Sequence, residues 1–177
     1  MHDNEKIILE KIFPYPSAIG VLVAIPCFVL WGGLYYFIFG SIFRLGFIMI
    51  FTTLCIGTGI LIIKSISKNV MIWFNEEYMF IKVGNEKPNE YLKKNITGFY
   101  SYDYETETPL MKTSIVKFKF ILNDGKKVYL NDSEYRSKYD QKKGENLKRI
   151  LRLAQKELHF SKLRKESFRN IYWYSTK

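Results

Sequence analysis

The stretch AIGVLVAIPCFVLWGGLYYFIFG, Ala18 to Gly40, contains no charged residue. At 1.5 Å per residue a helix of that length is roughly 34 Å long, enough to cross a hydrocarbon core of roughly 30 Å. Leu45 to Ile63, LGFIMIFTTLCIGTGILII, is also uncharged and just long enough. Only Ser41–Arg44 separates the two. Lipid-facing backbone must satisfy its own hydrogen bonds, so a link that short predicts an antiparallel helical hairpin over 18–63. A secretory signal peptide fits poorly. The N-terminal region is not basic, the apolar run is too long, and a second run follows at once.

Charge is segregated outward from this hairpin. Residues 1–63 hold Lys6, Lys11 and Arg44 against Asp3, Glu5 and Glu10, so they are neutral. The remainder carries the entire net charge of +10 of the 177-residue chain. Lys/Arg flank both outer ends of the hairpin (Lys6 and Lys11, then Lys64 and Lys68), whereas the tip has Arg44 alone. The excess of cations on cytoplasmic flanks predicts a two-pass protein of the cytoplasmic (inner) membrane with both termini cytoplasmic. Tyr35, Tyr36, Phe37, Phe39 and Phe43 then fall near the outer interface.

Pro26 lies mid-span and removes one helical hydrogen bond. Gly32, Gly33, Gly57 and Gly59 are expected to let the two helices approach closely. No Asp, Glu, Lys, Arg or His lies inside either span, which weakens transporter and channel readings. Thr52, Thr53 and Thr58 are the polar side chains an oligomeric pore would have to use. Cys27 and Cys55 are expected as small packing residues, not as a disulfide.

After Ser65 the period changes to two. Val70–Phe74, a turn at Asn75-Glu76-Glu77 and Tyr78–Gly84 read as a β-hairpin. Tyr91–Asp103 reads as two short strands broken at Lys93-Lys94-Asn95. In Ser114–Leu122, Val116, Phe118, Phe120 and Leu122 alternate with Lys117 and Lys119, and Asn123-Asp124-Gly125 turns the chain into Lys126–Leu130. A three-residue loop pairs Phe120 with Val128 and Phe118 with Leu130. One face is then apolar, and the other carries Lys117, Lys119, Lys127 and Tyr129. Glu145–His159 reads as a helix with Leu147, Ile150, Leu151, Ala154 and Leu158 on one stripe. The predicted class is a membrane α-hairpin plus an α+β domain, a small antiparallel sheet or barrel closed by a helix. The domain order is an N-terminal cytoplasmic segment 1–17, the hairpin 18–63, the sheet domain 64–160, and a basic aromatic tail 161–177.

This layout resembles the bacterial PH-like domain proteins with an N-terminal two-helix membrane hairpin. The points of likeness are Glu10 with the Pro14-Tyr15-Pro16-Ser17 entry, Val70–Gly84 as the opening β-hairpin, and Ser114–Leu130 with the helix ending near His159. The resemblance spans residues 8–159. It implies a seven-stranded PH-like barrel, of which five or six strands are recognisable here, and a binding or scaffold module with no reaction attached.

Catalytic chemistry has little to build on. The two histidines, His2 and His159, have no Ser or Cys neighbour in sequence, so a nucleophilic triad is unsupported. No spacing suits zinc or a phosphate loop. Asp103, Glu105 and Glu107 would share one side of an extended chain, yet they lack the Gly and Asn that hard-cation loops normally add. The expectation is a non-enzyme with no catalytic residue, metal or cofactor. The positive signal is basic surface. Lys64, Lys68, Lys93, Lys94, Lys117, Lys119, Lys142, Lys143 and Arg149 are candidates for anionic lipid head groups, and Tyr172, Trp173 and Tyr174 for a protein partner. The expected function is a membrane-anchored binding or scaffold module at the cytoplasmic leaflet. The alternative is a membrane immunity protein or small subunit that binds and neutralises or regulates a protein. The expected partners are the bilayer, anionic lipid, and a protein or a second copy. Nucleic acid is not expected, since no helix-turn-helix or stacking platform is legible.

Overall fold

A computed structural model describes residues 5–16, 18–40, 45–106, 114–132, 140–165 and 170–176. Expectations placed on His2, Asp3, Ser17, the Ser41–Arg44 link with Phe43, Glu107, Phe168 and Arg169 lie outside the described residues. The chain divides into two compact units, Tyr15–Ser67 and the remainder up to Pro14 and from Lys68 onward.

The smaller unit is the hairpin. Helices α1 (Ala18–Phe39) and α2 (Leu45–Ile66) are both long and apolar enough to cross a membrane. Many of their outward side chains are apolar and unburied, as at Phe28 and Phe37. The seam between them is aromatic. Trp31 Nε1 donates to Thr58 Oγ1 at 3.0 Å, Tyr35 meets Phe51 edge-on at 5.5 Å, and Phe39 lies 4.5 Å from Phe47. The glycine expectation is corrected here. A Cβ at Gly33, Gly57 or Gly59 would meet nothing within 4 Å, and at Gly32 only Phe28 of its own helix. Large rings fill the seam instead, so the glycines face outward. Thr58 Oγ1 also donates to Leu54 O at 2.8 Å, and Thr53 Oγ1 to Met49 O at 2.9 Å, which engages both hydroxyls within the hairpin. Both thiols are free, with Cys27 buried.

The larger unit is a nine-stranded antiparallel open sheet with one helix. The strands are β1 (Ile7–Phe13), β2 (Lys68–Phe74), β3 (Tyr78–Val83), β4 (Asn89–Leu92), β5 (Ile96–Tyr102), β6 (Lys117–Leu122), β7 (Lys127–Asp132), β8 (Ser161–Lys165) and β9 (Ile171–Ser175). Their order is β4-β3-β2-β1-β7-β6-β5-β9-β8. A single 3-10 turn, Lys93–Asn95, joins β4 to β5. The helix α3 (Gln141–Leu158) follows β7.

Residues 7–13, expected as part of a separate N-terminal segment, form β1 inside the sheet. Ile7, Leu9 and Ile12 are buried while Ile8 and Glu10 point out. A bulge resets the phase. Leu9 pairs with Val70 but Ile12 with Lys68, and Lys11 between them has φ 55°. Without that extra residue Ile12 would face outward. Residues 161–177, expected as a tail, supply β8 and β9, with β9 hydrogen-bonded between β5 and β8.

The hairpin β6–β7 has the expected register, with Phe120 opposite Val128 and Phe118 opposite Leu130. Gly125 N donates to Leu122 O at 3.0 Å, and Gly125 takes φ 81°, which an L side chain rarely adopts. The turn of β2–β3 is held by Asn75, whose Oδ1 accepts from Glu77 N at 3.0 Å and Tyr78 N at 2.6 Å.

The core lies between α3 and the inner sheet face. Leu147, Ile150, Leu151, Ala154 and Leu158 all bury there against Phe99, Phe118, Phe120 and Leu130. Full burial of each large aliphatic side chain contributes roughly 2 kcal/mol before entropy is counted. Asp140 caps α3 by accepting from Lys143 N at 3.0 Å. His159 ends it in the left-handed region at φ 55°, and Phe160 N reaches back to Gln155 O at 3.0 Å. That turn places Phe160 in the core beside Phe99.

Candidate functional site

Most of the basic candidates already have partners inside the domain. Lys93 Nζ lies 2.5 Å from Glu157 and 5.8 Å from the Phe74 ring centroid. Lys143 Nζ lies 2.5 Å from Asp132, and Lys68 Nζ 2.5 Å from Glu86. Arg149 pairs with Glu5. Lys117 Nζ donates to Asn131 Oδ1 at 2.9 Å. Lys94 and Lys142 are exposed, and Lys64 sits in the last turn of α2. The nine groups therefore do not converge on one patch. They lie on β2, the 3-10 turn, β6, α2 and α3.

The acidic stretch is also internally engaged. Asp103 is buried, accepts from Lys162 Nζ at 2.8 Å and from Glu105 N at 3.2 Å, and takes the Thr106 hydroxyl as well. Burial alone would push its carboxyl up. The hydrogen bonds from Lys162 and Thr106, with the Lys162 charge, hold it below the usual carboxylate value instead. The hydrogen bond to Asp103 raises Lys162 in turn. Glu105 grips Arg152 with both oxygens, at 2.6 and 2.7 Å. Among the described residues, no three His, Cys, Asp or Glu stand together as a metal site.

An open cleft of about 1390 Å³ lies between the β2–β3 turn, the 3-10 turn and the C-terminal end of α3. Glu76, Glu77 and Glu157 line it together with Lys93, Lys94 and Lys156, and Phe74 and Phe160 add apolar surface. Both signs of charge line it, so its electrostatics select no ligand class.

The outer sheet face is different. One cross-strand row runs Tyr129–Lys119–Tyr100–Trp173–Arg164, each residue the registered partner of the next on β7, β6, β5, β9 and β8. Lys119 Nζ stands 5.0 Å from the Tyr100 ring and 5.9 Å from the Tyr129 ring. The Tyr100 and Trp173 rings are 4.6 Å apart. Trp173 covers Gly98, where any Cβ would collide with the indole. Two cations and three rings thus share one row across the sheet.

The three tail aromatics part company. Tyr174 is buried and stacks on Phe99 at 4.8 Å, with its hydroxyl unpartnered among the described residues. Burial, then the nearby Asp103 charge, pushes that phenol above its ordinary value. Tyr172 lies under Lys162 at 4.9 Å. Only Trp173 joins the outer row.

Sequence reading found Lys117, Lys119 and Tyr129 on one face but missed Tyr100, Trp173 and Arg164 beside them. The place of Tyr100 between Phe99 and Ser101, both fully buried, follows the strand alternation that points it outward. No local pattern places β9 next to β5. Compared with family models, curated proteins and solved structures, the chain matches none.

Proposed function

We propose that the chain is a non-enzymatic, membrane-anchored binding module of PH-like architecture, working at the cytoplasmic leaflet of the bacterial inner membrane. The observation that carries this reading is topological. The apolar hairpin is the connection between β1 and β2, which are hydrogen-bonded antiparallel neighbours in one sheet. Two spans that leave and re-enter the same sheet tether the domain by two covalent stems. An even number of spans also returns both flanks to one side of a bilayer, and the basic flanks favour the cytoplasmic side. Seven strands, β1 to β7, precede α3, the number the PH-like resemblance implies, with β8 and β9 added beyond it.

Two experiments test this. In the first, Lys94→Cys is labelled with a membrane-impermeant thiol reagent in the full chain. Labelling confined to inside-out vesicles is expected, and labelling in right-side-out vesicles overturns the orientation. In the second, the full-length protein is released gently from its own membranes for native mass spectrometry. A bound lipid or protein of discrete mass supports a binding module. A bare monomer at every release condition counts against one. Turnover of a lipid substrate that is lost in Asp103→Asn would replace the module with an enzyme.

A further inference from the structure

We propose that the outer face of β1 to β4 is a self-complementary interface that pairs two copies of the chain about a two-fold axis. The interface lies wholly within the sheet domain, so it does not depend on the membrane anchor. Strand register sets its pattern. Trp73 is the registered partner of Phe80, and Phe80 of Glu90. Lys6 is in phase with Ile8 and holds its Nζ 5.5 Å from the Trp73 ring. One row therefore reads cation, ring, ring, anion: Lys6, Trp73, Phe80, Glu90. The row beside it reads Ile8, Met71, Lys82. Glu10 follows Ile8 on the same side of β1. The alternate positions Ile7, Leu9, Val70, Ile72, Met79 and Ile81 are buried in the core, so both rows point away from it.

Apolar surface gives the reason for a partner. Ile8 is 50% exposed, and Met71, Trp73 and Phe80 are half-buried. The two rings stack 5.1 Å apart and parallel to within 2°. Aromatic residues and Met are enriched in protein interfaces. Charge identifies the occupant. Among the described residues, none of Lys6, Glu10, Lys82 and Glu90 enters an ion pair. Two lysines and two glutamates leave the face neutral. An anionic leaflet would repel the glutamates, and an acidic or a basic protein would satisfy one sign only. A second copy satisfies both. A two-fold axis lying along the strands between β2 and β3 sets Lys6 against the partner's Glu90 at each end of the row, with Trp73 on the partner's Phe80 between them.

The test is photocrosslinking of the full chain inside cells that produce it. Phe80 is replaced by p-benzoylphenylalanine, and two copies with different affinity tags are co-expressed. Light should give a dimer that carries both tags. Lys6→Glu sets glutamate against glutamate at each end of the row, and Glu90→Lys sets lysine against lysine. Each variant expressed without the other should lose at least fivefold in dimer yield. Co-expression of Lys6→Glu with Glu90→Lys should restore the yield, because each end then joins opposite charges. Misfolded variants do not recover by mixing. Lys127→Glu, a change of the same kind on β7 outside the face, should leave the yield unaltered. Crosslinks to lipid or to a different protein alone would overturn the second copy as occupant. A dimer yield indifferent to both single variants, or no recovery on mixing, would overturn the two-fold pairing.

Discussion

Trp173 occupies the space beside Gly98 that every other residue would give to a Cβ. The same imaginary Cβ would stand 2.6 Å from Tyr174 O, a backbone atom that cannot swing away. Gly98 is thus required by its neighbour on β9 and not by its own torsion. The pairing of β5 with β6 shifts register between Ile96 and Gly98.

Gly98→Ala should therefore cost about 1–3 kcal/mol by overpacking. Trp173 emission should shift toward the red as the indole is lifted from the sheet. A thermal melt of the detergent-solubilised chain, read by fluorescence, checks both. An unchanged melting temperature would mean that β9 is not held against β5.

Asp103 and Lys162 join the end of β5 to β8, and their titration sets opposite limits. Asp103 sits below its ordinary value of 3.8, so its contribution is complete above that pH and is lost as pH falls through the lower folded value. Lys162 is raised above 10.5, so its contribution is complete below that pH and is lost as pH rises through the higher folded value. Asp103→Asn should lower stability at neutral pH by about 1–3 kcal/mol, since it removes the charge that the hydrogen bonds from Lys162 and Thr106 stabilise. It should also flatten the acid limb of the stability curve below about pH 4. Melting temperatures from pH 3 to 7 for both proteins decide this. Parallel curves would exclude the pair as the acid-sensitive element.

Lys143 anchors the first turn of α3 to β7 through Asp132, with side chains 13% and 5% exposed. Val116 N also donates to Asp132, at 3.2 Å. Lys143→Met should destabilise the domain by about 3 kcal/mol, because the buried carboxylate loses a close cationic partner. Adding Asp132→Asn should recover part of that loss. Chemical denaturation of the two variants measures the coupling, and strict additivity would argue that the two residues do not interact.

In the hairpin, Trp31→Phe removes the donor to Thr58 while keeping an aromatic in the seam. Interhelical hydrogen bonds of this kind are worth about 0.6 kcal/mol in lipid. A small but measurable loss is expected in resistance to denaturing detergent, with Trp31→Ala considerably worse because the contact with Phe51 goes too. Equal losses for the two variants would assign the whole effect to the hydrogen bond.

Local periodicity was enough to read the two apolar helices, the hairpin of β2 and β3, the faces of β6 and β7, and the stripe of α3. Each is written in residues a few positions apart, and burial of one face needs no knowledge of the partner. The Phe118–Leu130 and Phe120–Val128 pairs were legible for that reason, since only one loop length keeps both faces consistent. β1 was hidden because the bulge at Lys11 breaks the alternation between Leu9 and Ile12. Its place between β2 and β7 is decided by burial of Ile7, Leu9 and Ile12 against residues more than fifty positions away.

The candidate surface divides in the same way. Lys117, Lys119 and Tyr129 share a face by the pleat of one hairpin, which the sequence by itself determined. Tyr100, Trp173 and Arg164 complete the row only because β9 inserts between β5 and β8. The tertiary structure also decided which cations meet a carboxylate. Ion pairs such as Lys162–Asp103 and Lys93–Glu157 join residues 59 and 64 positions apart. Charge along a chain is local information, whereas neutralisation depends on which distant carboxylate the fold brings within reach.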